Sequence, residues 1–189
     1  KITGDYSLNA YNVFTVRQLI DMGLDGVTLS PEMTLKQIKQ LDLGCESDIE
    51  LEVYGRQRLM TTENCIPGNA AGCGKKGMCC ASDGTGSKFK LKDRKGVEFP
   101  VMCDRTDCRS TILNSSVMFV PELLGEIKRS AVNIARITIY DEKRNETEEI
   151  VRIYKDLLIS EKDASGKYEK AIEKIKSKGF NKGHLLRGV

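Results

Sequence analysis

Short apolar runs alternate with helical patterns along the first 55 residues of the chain. Residues 2–8 have β character, and a capping-box pattern that begins at Thr15 starts a run of apolar residues at helical spacing. A buried-strand run at 26–29 follows, and Ser30, which precedes a proline, is typical of the start of a second helix. Residues 49–54 then alternate apolar and acidic side chains, which predicts a strand with one face in water.

The same alternation resumes after a long irregular stretch. Strand patterns occupy residues 99–102, 116–120 and 135–140, and helical patterns occupy residues 121–129, a segment capped by Asn145, and residues 168–177. Parallel neighbouring strands need a crossover, so this order predicts a parallel α/β arrangement. A complete TIM barrel needs about 250 residues. We therefore expect the C-terminal part of a TIM-barrel-like domain, with an open parallel α/β sheet as the alternative.

The irregular stretch interrupts this pattern between residues 65 and 86. It holds six glycines and four cysteines and has no hydrophobic period, which predicts a loop held by something other than an apolar core. The predicted organisation is a partial barrel-like domain over residues 1–159, including a cysteine-rich loop at 63–110. A linker, a C-terminal helix and a tail follow at 160–189.

Composition identifies a globular protein and excludes several other classes. Of the 189 residues, 40% are hydrophobic and 30% are charged, which argues against disorder, collagen and coiled coil. No apolar run approaches the roughly 20 residues that cross a bilayer, and the first residues carry neither a Met nor a signal-type segment. We expect a cytoplasmic piece of a longer chain without a membrane partner. The net charge of +3 is too small to name a partner.

The seven cysteines are the strongest chemical signal. An odd number of cysteines without a secretory segment argues against a disulfide framework and favours thiolate ligation of a metal or an iron-sulfur cluster. The glycine-rich backbone suits a cluster, because amide groups must approach the sulfurs closely. Zinc stays an alternative, although the chain has no pair of cysteines separated by two residues, the spacing that zinc ribbons usually show. Cys45 is interpreted as a buried thiol.

Three blocks of sequence resemble peptidase family U32, which is called collagenase-like. They are EVYGRQRLMTTENCIP at 52–67, LKDRKGVEFPV at 91–101 and DCRSTILNS at 107–115. The opening GDYSLNAYN, the LSPE at 29–32 and the closing GHLLRG are similar to further blocks of that family. The resemblance implies a barrel-like α/β fold whose N-terminal half is absent from this chain.

The resemblance also implies a four-cysteine site that holds a [4Fe-4S] cluster in several members. Carried over by position, its ligands are Cys65, Cys73, Cys80 and Cys108, with Cys79 and Cys103 as alternates. Several relatives with such a site hydroxylate RNA bases or a quinone precursor without oxygen, and prephenate is implicated as the oxygen source for some. Oxygen-independent hydroxylation is therefore the first expected function.

Two other functions stay open. The family name implies a peptidase that hydrolyses collagen-like or other peptides, but the chain has one histidine, His184, and no Gly-x-Ser-x-Gly motif. A third possibility is a non-catalytic, metal-clamped half of a larger enzyme, completed by the missing N-terminal half or by a partner chain. Candidate catalytic residues, chosen mainly for their place after a predicted strand, are Tyr54, Arg56, Glu63 and His184.

A short basic segment permits an RNA substrate. Lys88, Lys90 and Lys92 alternate with apolar residues, so an extended chain would place their three ammonium groups on one face, where they could meet phosphates. Lysines also commonly protect the edge of a sheet, which is the alternative interpretation of the same pattern.

Overall fold

The computed structural model describes residues 1–44, 47–71, 89–104, 106–159 and 165–187. The chain forms two compact units: unit 1 comprises Lys1–Gly55 and Val117–Val189, and unit 2 comprises Arg56–Ser116. Five residues with a predicted role lie outside the described residues, namely Cys45, Cys73, Cys79, Cys80 and Lys88.

The described chain contains ten strands and six α-helices. The strands are β1 (Thr3–Gly4), β2 (Gly26–Thr28), β3 (Asp48–Gly55), β4 (Arg58–Thr62), β5 (Lys90–Lys92), β6 (Glu98–Cys103), β7 (Ser110–Leu113), β8 (Val117–Phe119), β9 (Ile134–Ile137) and β10 (Phe180–Asn181). The helices are α1 (Val13–Asp21), α2 (Leu35–Lys39), α3 (Ile66–Ala71), α4 (Leu124–Ile127), α5 (Arg144–Ile159) and α6 (Ser165–Ser177). Among these, no helix is long and apolar enough to cross a membrane.

Strand β3 is the centre of the unit 1 sheet. Glu50 pairs with Thr28 of β2 and with β9, and Tyr54 pairs with Phe119 of β8 and again with β9. Strand β9 therefore pairs along one edge of β3. Strands β2 and β8 pair with the other edge, β2 with the first half of β3 and β8 with its end. The β1–β2, β2–β3, β3–β9 and β8–β10 pairs are parallel, and β3–β8 is antiparallel. The α/β prediction is confirmed. Among the described strands, the path from β1 to β10 has two ends and no pair that closes it into a barrel.

Three aromatic rings form the centre of the unit 1 core. Tyr54, Phe119 and Tyr154 pack edge to face with ring centroids 6.0–6.3 Å apart. The Tyr154 hydroxyl donates to the Val53 carbonyl at 2.7 Å and accepts from the Val120 N–H at 3.1 Å. Burial raises the pKa of Tyr154 far above its ordinary value, so the hydroxyl keeps the proton that it donates. Helix α5 is thereby fixed both to β3 and to the segment that follows β8.

The first two helices begin at residues other than those predicted. The N-cap of α1 is Asn12, whose side chain accepts the Thr15 N–H at 3.0 Å, so the capping-box prediction at Thr15 is wrong. Helix α2 begins after Thr34, which forms a reciprocal capping box with Gln37, and the predicted start at Ser30 is wrong. Both segments contain several residues that can cap a helix, so composition alone does not identify the one that does.

Unit 2 contains an antiparallel sheet that the sequence pattern did not predict. Its strand order is β4-β7-β6-β5, and all three pairs are antiparallel. The central strand β7 is buried along its whole length, whereas β4 is almost entirely exposed. The predicted irregular stretch begins as a helix, α3, and the rest of that stretch lies outside the described residues.

An ion-pair cluster holds the C-terminal segment of unit 1, and we expect it to respond to acid. Glu122 accepts from Lys182 at 2.9 Å and lies 3.5 Å from Lys176 on α6. Burial opposes the ionisation of Glu122, but the two lysines hold its pKa below the ordinary value. A carboxyl with a lowered pKa stabilises the fold above its unfolded pKa, and this contribution is lost as the pH falls through the folded pKa.

The variant Glu122→Gln should therefore lower the stability of unit 1 at neutral pH and weaken its acid sensitivity. The pair is partly exposed, so we expect a loss of about 0.5 kcal/mol at pH 7, measured by thermal unfolding from pH 7 to about pH 3. Glu173→Gln, at an exposed position on α6, is the matched control and should behave as the wild type. Identical pH profiles for Glu122→Gln and the wild type would contradict this role.

Candidate functional site

The three described cysteines gather at one end of the unit 2 sheet. In the last pairs of the ladder, Ser110 on β7 lies opposite Thr62 on β4 and opposite Cys103 on β6. Cys65 follows Thr62 by three residues, and Cys108 precedes Ser110 by two. Neighbouring strands are about 4.8 Å apart. The segments that carry these three cysteines therefore lie close to the row of paired residues formed by Thr62, Ser110 and Cys103.

The local environments of these cysteines differ. Cys65 and Cys103 are half-buried, whereas Cys108 is exposed. Cys108 also has a left-handed backbone, with φ of 59°, in the loop that joins β6 to β7. Within the described residues, no group of three or more His, Cys, Asp and Glu side chains is arranged to hold a metal ion. Two of the four predicted ligands, Cys73 and Cys80, lie outside those residues, so the predicted ligand set stays a prediction.

Hydrogen bonds within the β6–β7 hairpin set the backbone around Cys108. The Asp104 N–H donates to the Arg109 carbonyl at 2.9 Å, and the Asp104 carboxylate accepts the Thr106 N–H at 2.7 Å. The hydrogen bonds from Thr106 hold the pKa of Asp104 below its ordinary value. The backbone N–H of Asp104 thus closes the hairpin that carries Cys108, and its carboxylate holds the turn at Thr106.

Of the two predicted catalytic residues of unit 2, Glu63 contacts the chain at this end of the sheet, whereas Arg56 lies toward the opposite end of β7. The Arg109 guanidinium lies 3.1 Å from Asp107 and 3.5 Å from the exposed carboxylate of Glu63, which links the segment before Cys65 to the hairpin. Arg56 donates to the carbonyls of Asn114 and Ser115 at 3.1 and 2.6 Å. These contacts make Arg56 a brace for the end of β7. Catalytic roles for Arg56 and Glu63 stay predictions.

The described part of the basic segment lies on an edge strand. Strand β5 ends the unit 2 sheet and pairs with β6. The Lys90 ammonium donates to Glu98 at 2.7 Å, and the hydrogen bond from Lys90 holds the pKa of Glu98 below its ordinary value. Lys92 lies directly opposite Glu98. This arrangement is the one expected of lysines that protect a sheet edge, and RNA binding stays a prediction.

A second polar cluster crosses the unit 1 sheet, and we call it the polar layer. It consists of Asp5 after β1, Thr28 on β2, Glu50 on β3 and Arg136 on β9. Arg136 binds Asp5 and donates to Glu50 at 2.7 Å, and Thr28 donates to the same Glu50 oxygen at 2.6 Å. Burial opposes the charge on Arg136, but Asp5, Glu50 and Glu52 keep its pKa above the ordinary value.

The polar layer adds side-chain contacts to the backbone pairing of β2, β3 and β9 and of the segment that follows β1. Glu50 and Glu52 alternate along β3 with buried apolar residues, so one face of β3 joins the core and the other carries charge. The acidic positions in IELEV were the available signal for this layer, but by themselves they predicted a strand and no site. Arg136 gave no comparable signal, because its role depends on the pairing of β9 with β3.

The two predicted catalytic residues of unit 1 have different hydrogen-bond partners. Tyr54 is buried, and its hydroxyl donates to the Glu142 carboxylate at 2.8 Å. His184 is half-buried in the segment after β10, where its carbonyl accepts the Arg187 N–H at 3.2 Å. The neighbouring Leu185 carbonyl accepts from Leu35 at 2.8 Å, which anchors this segment beside α2. Catalytic roles for Tyr54 and His184 stay predictions.

These features together define an α/β protein whose smaller, antiparallel unit brings cysteines to one end of its sheet. Residues 1–188 match the family model described as Peptidase family U32. The chain therefore belongs to this family, and the resemblance read from its sequence blocks is confirmed. No curated protein and no solved structure matches the chain.

Proposed function

We propose that Cys65, Cys73, Cys80 and Cys108 hold a [4Fe-4S] cluster that supports oxygen-independent hydroxylation of an RNA base or a quinone precursor. The observation that supports this proposal most is the position of Cys65 and Cys108. These residues are 43 positions apart in the chain, yet both belong to segments that flank Ser110 at one end of the sheet.

The donor set fits such a cluster. Thiolates are the soft ligands that iron-sulfur clusters take, and a bound cluster supplies one-electron transfer. The chain's own contribution is to fix the ligand segments: the β4–β7 pairing places the strand that leads to Cys65, and the β6–β7 hairpin places Cys108. A single zinc ion is the alternative occupant of the same thiols. Cys79 and Cys103 are the alternate ligands.

Peptide hydrolysis is the second candidate function, and the family description favours it. A cysteine peptidase needs a thiolate beside a histidine. His184 belongs to unit 1, whereas the described cysteines belong to unit 2. The described residues therefore supply no argument for such a pair within either unit.

A non-catalytic, metal-clamped half of a larger enzyme is the third candidate. Within the described residues, the strand order of unit 1 begins at β1 and ends at β10 without closing. This favours the third candidate, because an open sheet edge can accept a further strand. The partner would be an N-terminal half of the same protein or a separate chain.

Metal analysis of protein purified without oxygen tests the site. We expect about four irons and four sulfides per chain, with a broad absorption band near ~400 nm from thiolate-bound iron. One zinc per chain without iron would indicate a structural zinc site instead of a cluster. Protein without metal would contradict the proposal.

A paired assay separates hydroxylation from hydrolysis. Deletion of the gene should remove a specific hydroxylated RNA base or block a quinone pathway, while the purified full-length protein should leave denatured collagen intact. Collagen cleavage that the wild type shows and a Cys65→Ser variant lacks would favour the peptidase instead.

A further inference from the structure

Ser110 is a fully buried polar residue at the centre of the cysteine end. Its exposed fraction is 0%, and it lies at the first position of the central strand β7. A buried hydroxyl is almost always hydrogen-bonded, so its partner indicates what it does. The Ser110 hydroxyl accepts the backbone N–H of Ile66 at 3.1 Å, across 44 residues of sequence.

The Ile66 amide is the first N–H of helix α3 and belongs to the residue after Cys65. Cys65 occupies the N-cap, since its carbonyl accepts the Asn69 N–H at 3.0 Å. The first amides of a helix lack partners within it, and an N-cap side chain reaches only the second or third of them, so the first amide needs an acceptor from elsewhere. Pro67 has no N–H to satisfy. Ser110 therefore supplies from a distant strand the acceptor that the local sequence does not provide.

This hydrogen bond joins the segments of two predicted ligands. Ser110 follows Cys108 by two residues and lies opposite Cys103, and residues paired across an antiparallel ladder point their side chains to the same face. The backbone beside Cys65 is thus attached to the strand that begins just after Cys108.

We propose that Ser110 is a positioning residue for two of the predicted ligands, and that its hydroxyl fixes the backbone of Cys65 relative to Cys108. The inference rests on the proposed function for the identity of the bound group, but the positioning itself is a property of the protein chain. A cysteine on a backbone segment that is already ordered binds a metal group more tightly than one on a disordered segment, because less conformational entropy is lost on binding.

The test compares Ser110→Ala with a control from the same strand. Thr111→Val also removes a hydroxyl from the β4–β7 pair, since Thr111 and Thr61 share a hydrogen bond of 3.1 Å, but it leaves the amide beside Cys65 untouched. We expect Ser110→Ala to release iron to a chelator about tenfold faster than the wild type. Thr111→Val should release it at the wild-type rate, and Ser110→Thr, which keeps the hydroxyl, should do the same.

A second readout does not depend on the cluster. Amide hydrogen exchange of α3 in metal-free protein should be faster in Ser110→Ala than in the wild type and unchanged in Thr111→Val. The variant Ile66→Pro removes the donor of the same hydrogen bond, at a position where helices tolerate proline. It should also release iron faster than the wild type, and it replaces Ser110→Ala in the test if that variant does not fold.

The outcomes separate this inference from the proposed function. Wild-type iron release and wild-type exchange in Ser110→Ala would overturn the positioning role, as would equal acceleration in Thr111→Val. A wild-type protein that takes up no iron would overturn the proposed cluster. Hydrogen exchange in the metal-free variants would then still decide whether Ser110 holds the Cys65 segment.

Discussion

Serine in place of Cys65 or Cys108 should abolish the iron content of protein purified without oxygen. Serine approximately preserves the size of the side chain but replaces a soft thiolate by a hard hydroxyl that iron-sulfur clusters rarely accept. Metal binding to such a site also contributes to folding, so the segment from residue 65 to residue 86 should become more accessible to proteases. Iron and sulfide analysis, with limited proteolysis of each variant, measures both effects.

Matched variants within the same sequence decide the ligand set. Cys103→Ser should keep its iron, because the four proposed ligands are still present in this variant. Comparison of Cys79→Ser with Cys80→Ser identifies the third ligand, and we expect the loss in Cys80→Ser. Full metal content in the serine variants of Cys65, Cys73, Cys80 and Cys108 would contradict the assignment.

Alanine in place of Phe119 should strongly destabilise unit 1. Phe119 is 0% exposed and packs edge to face on two tyrosine rings, with centroid distances of 6.0 Å to both. Removal of a buried Phe ring leaves a cavity and typically costs about 3–5 kcal/mol. In a chain of this size such a loss lowers the melting temperature by roughly 10 °C.

Phe14→Ala is the matched control for this substitution. Phe14 lies on α1 and is 77% exposed, so its removal should change the free energy of unfolding by less than about 0.5 kcal/mol. Thermal and urea unfolding of both variants measure the contrast. Equal effects of the two substitutions would show that the aromatic cluster does not carry the stability of unit 1.

Elements with a strong local pattern could be predicted from the sequence. Strand β3 extends over Asp48–Gly55 and includes the predicted residues 49–54, and α6 extends over Ser165–Ser177 and includes the predicted 168–177. In β3 the buried residues alternate along the strand, and in α6 the buried Tyr168 and the half-buried Ile172 and Ile175 recur at helical spacing, so the local pattern predicts each element.

Elements without such a pattern could not be predicted. Strand β4 is exposed at nearly every position, and β10 has only two residues. Each exists because it pairs with a strand distant in sequence, β7 for the first and β8 for the second. The predicted strand at 135–140 begins at Ile134 but ends at Ile137, where its pairing with β3 stops.

Local periodicity and residue identity were enough to establish the α/β class, the family and the set of cysteines. Three features became visible only in the folded chain: strands β4 to β7 form a separate antiparallel sheet, the segments of Cys65 and Cys108 flank Ser110, and Arg136 crosses the unit 1 sheet to Asp5. Strand pairing is set by the sum of many weak contacts between distant segments, and no local window of the chain contains that sum.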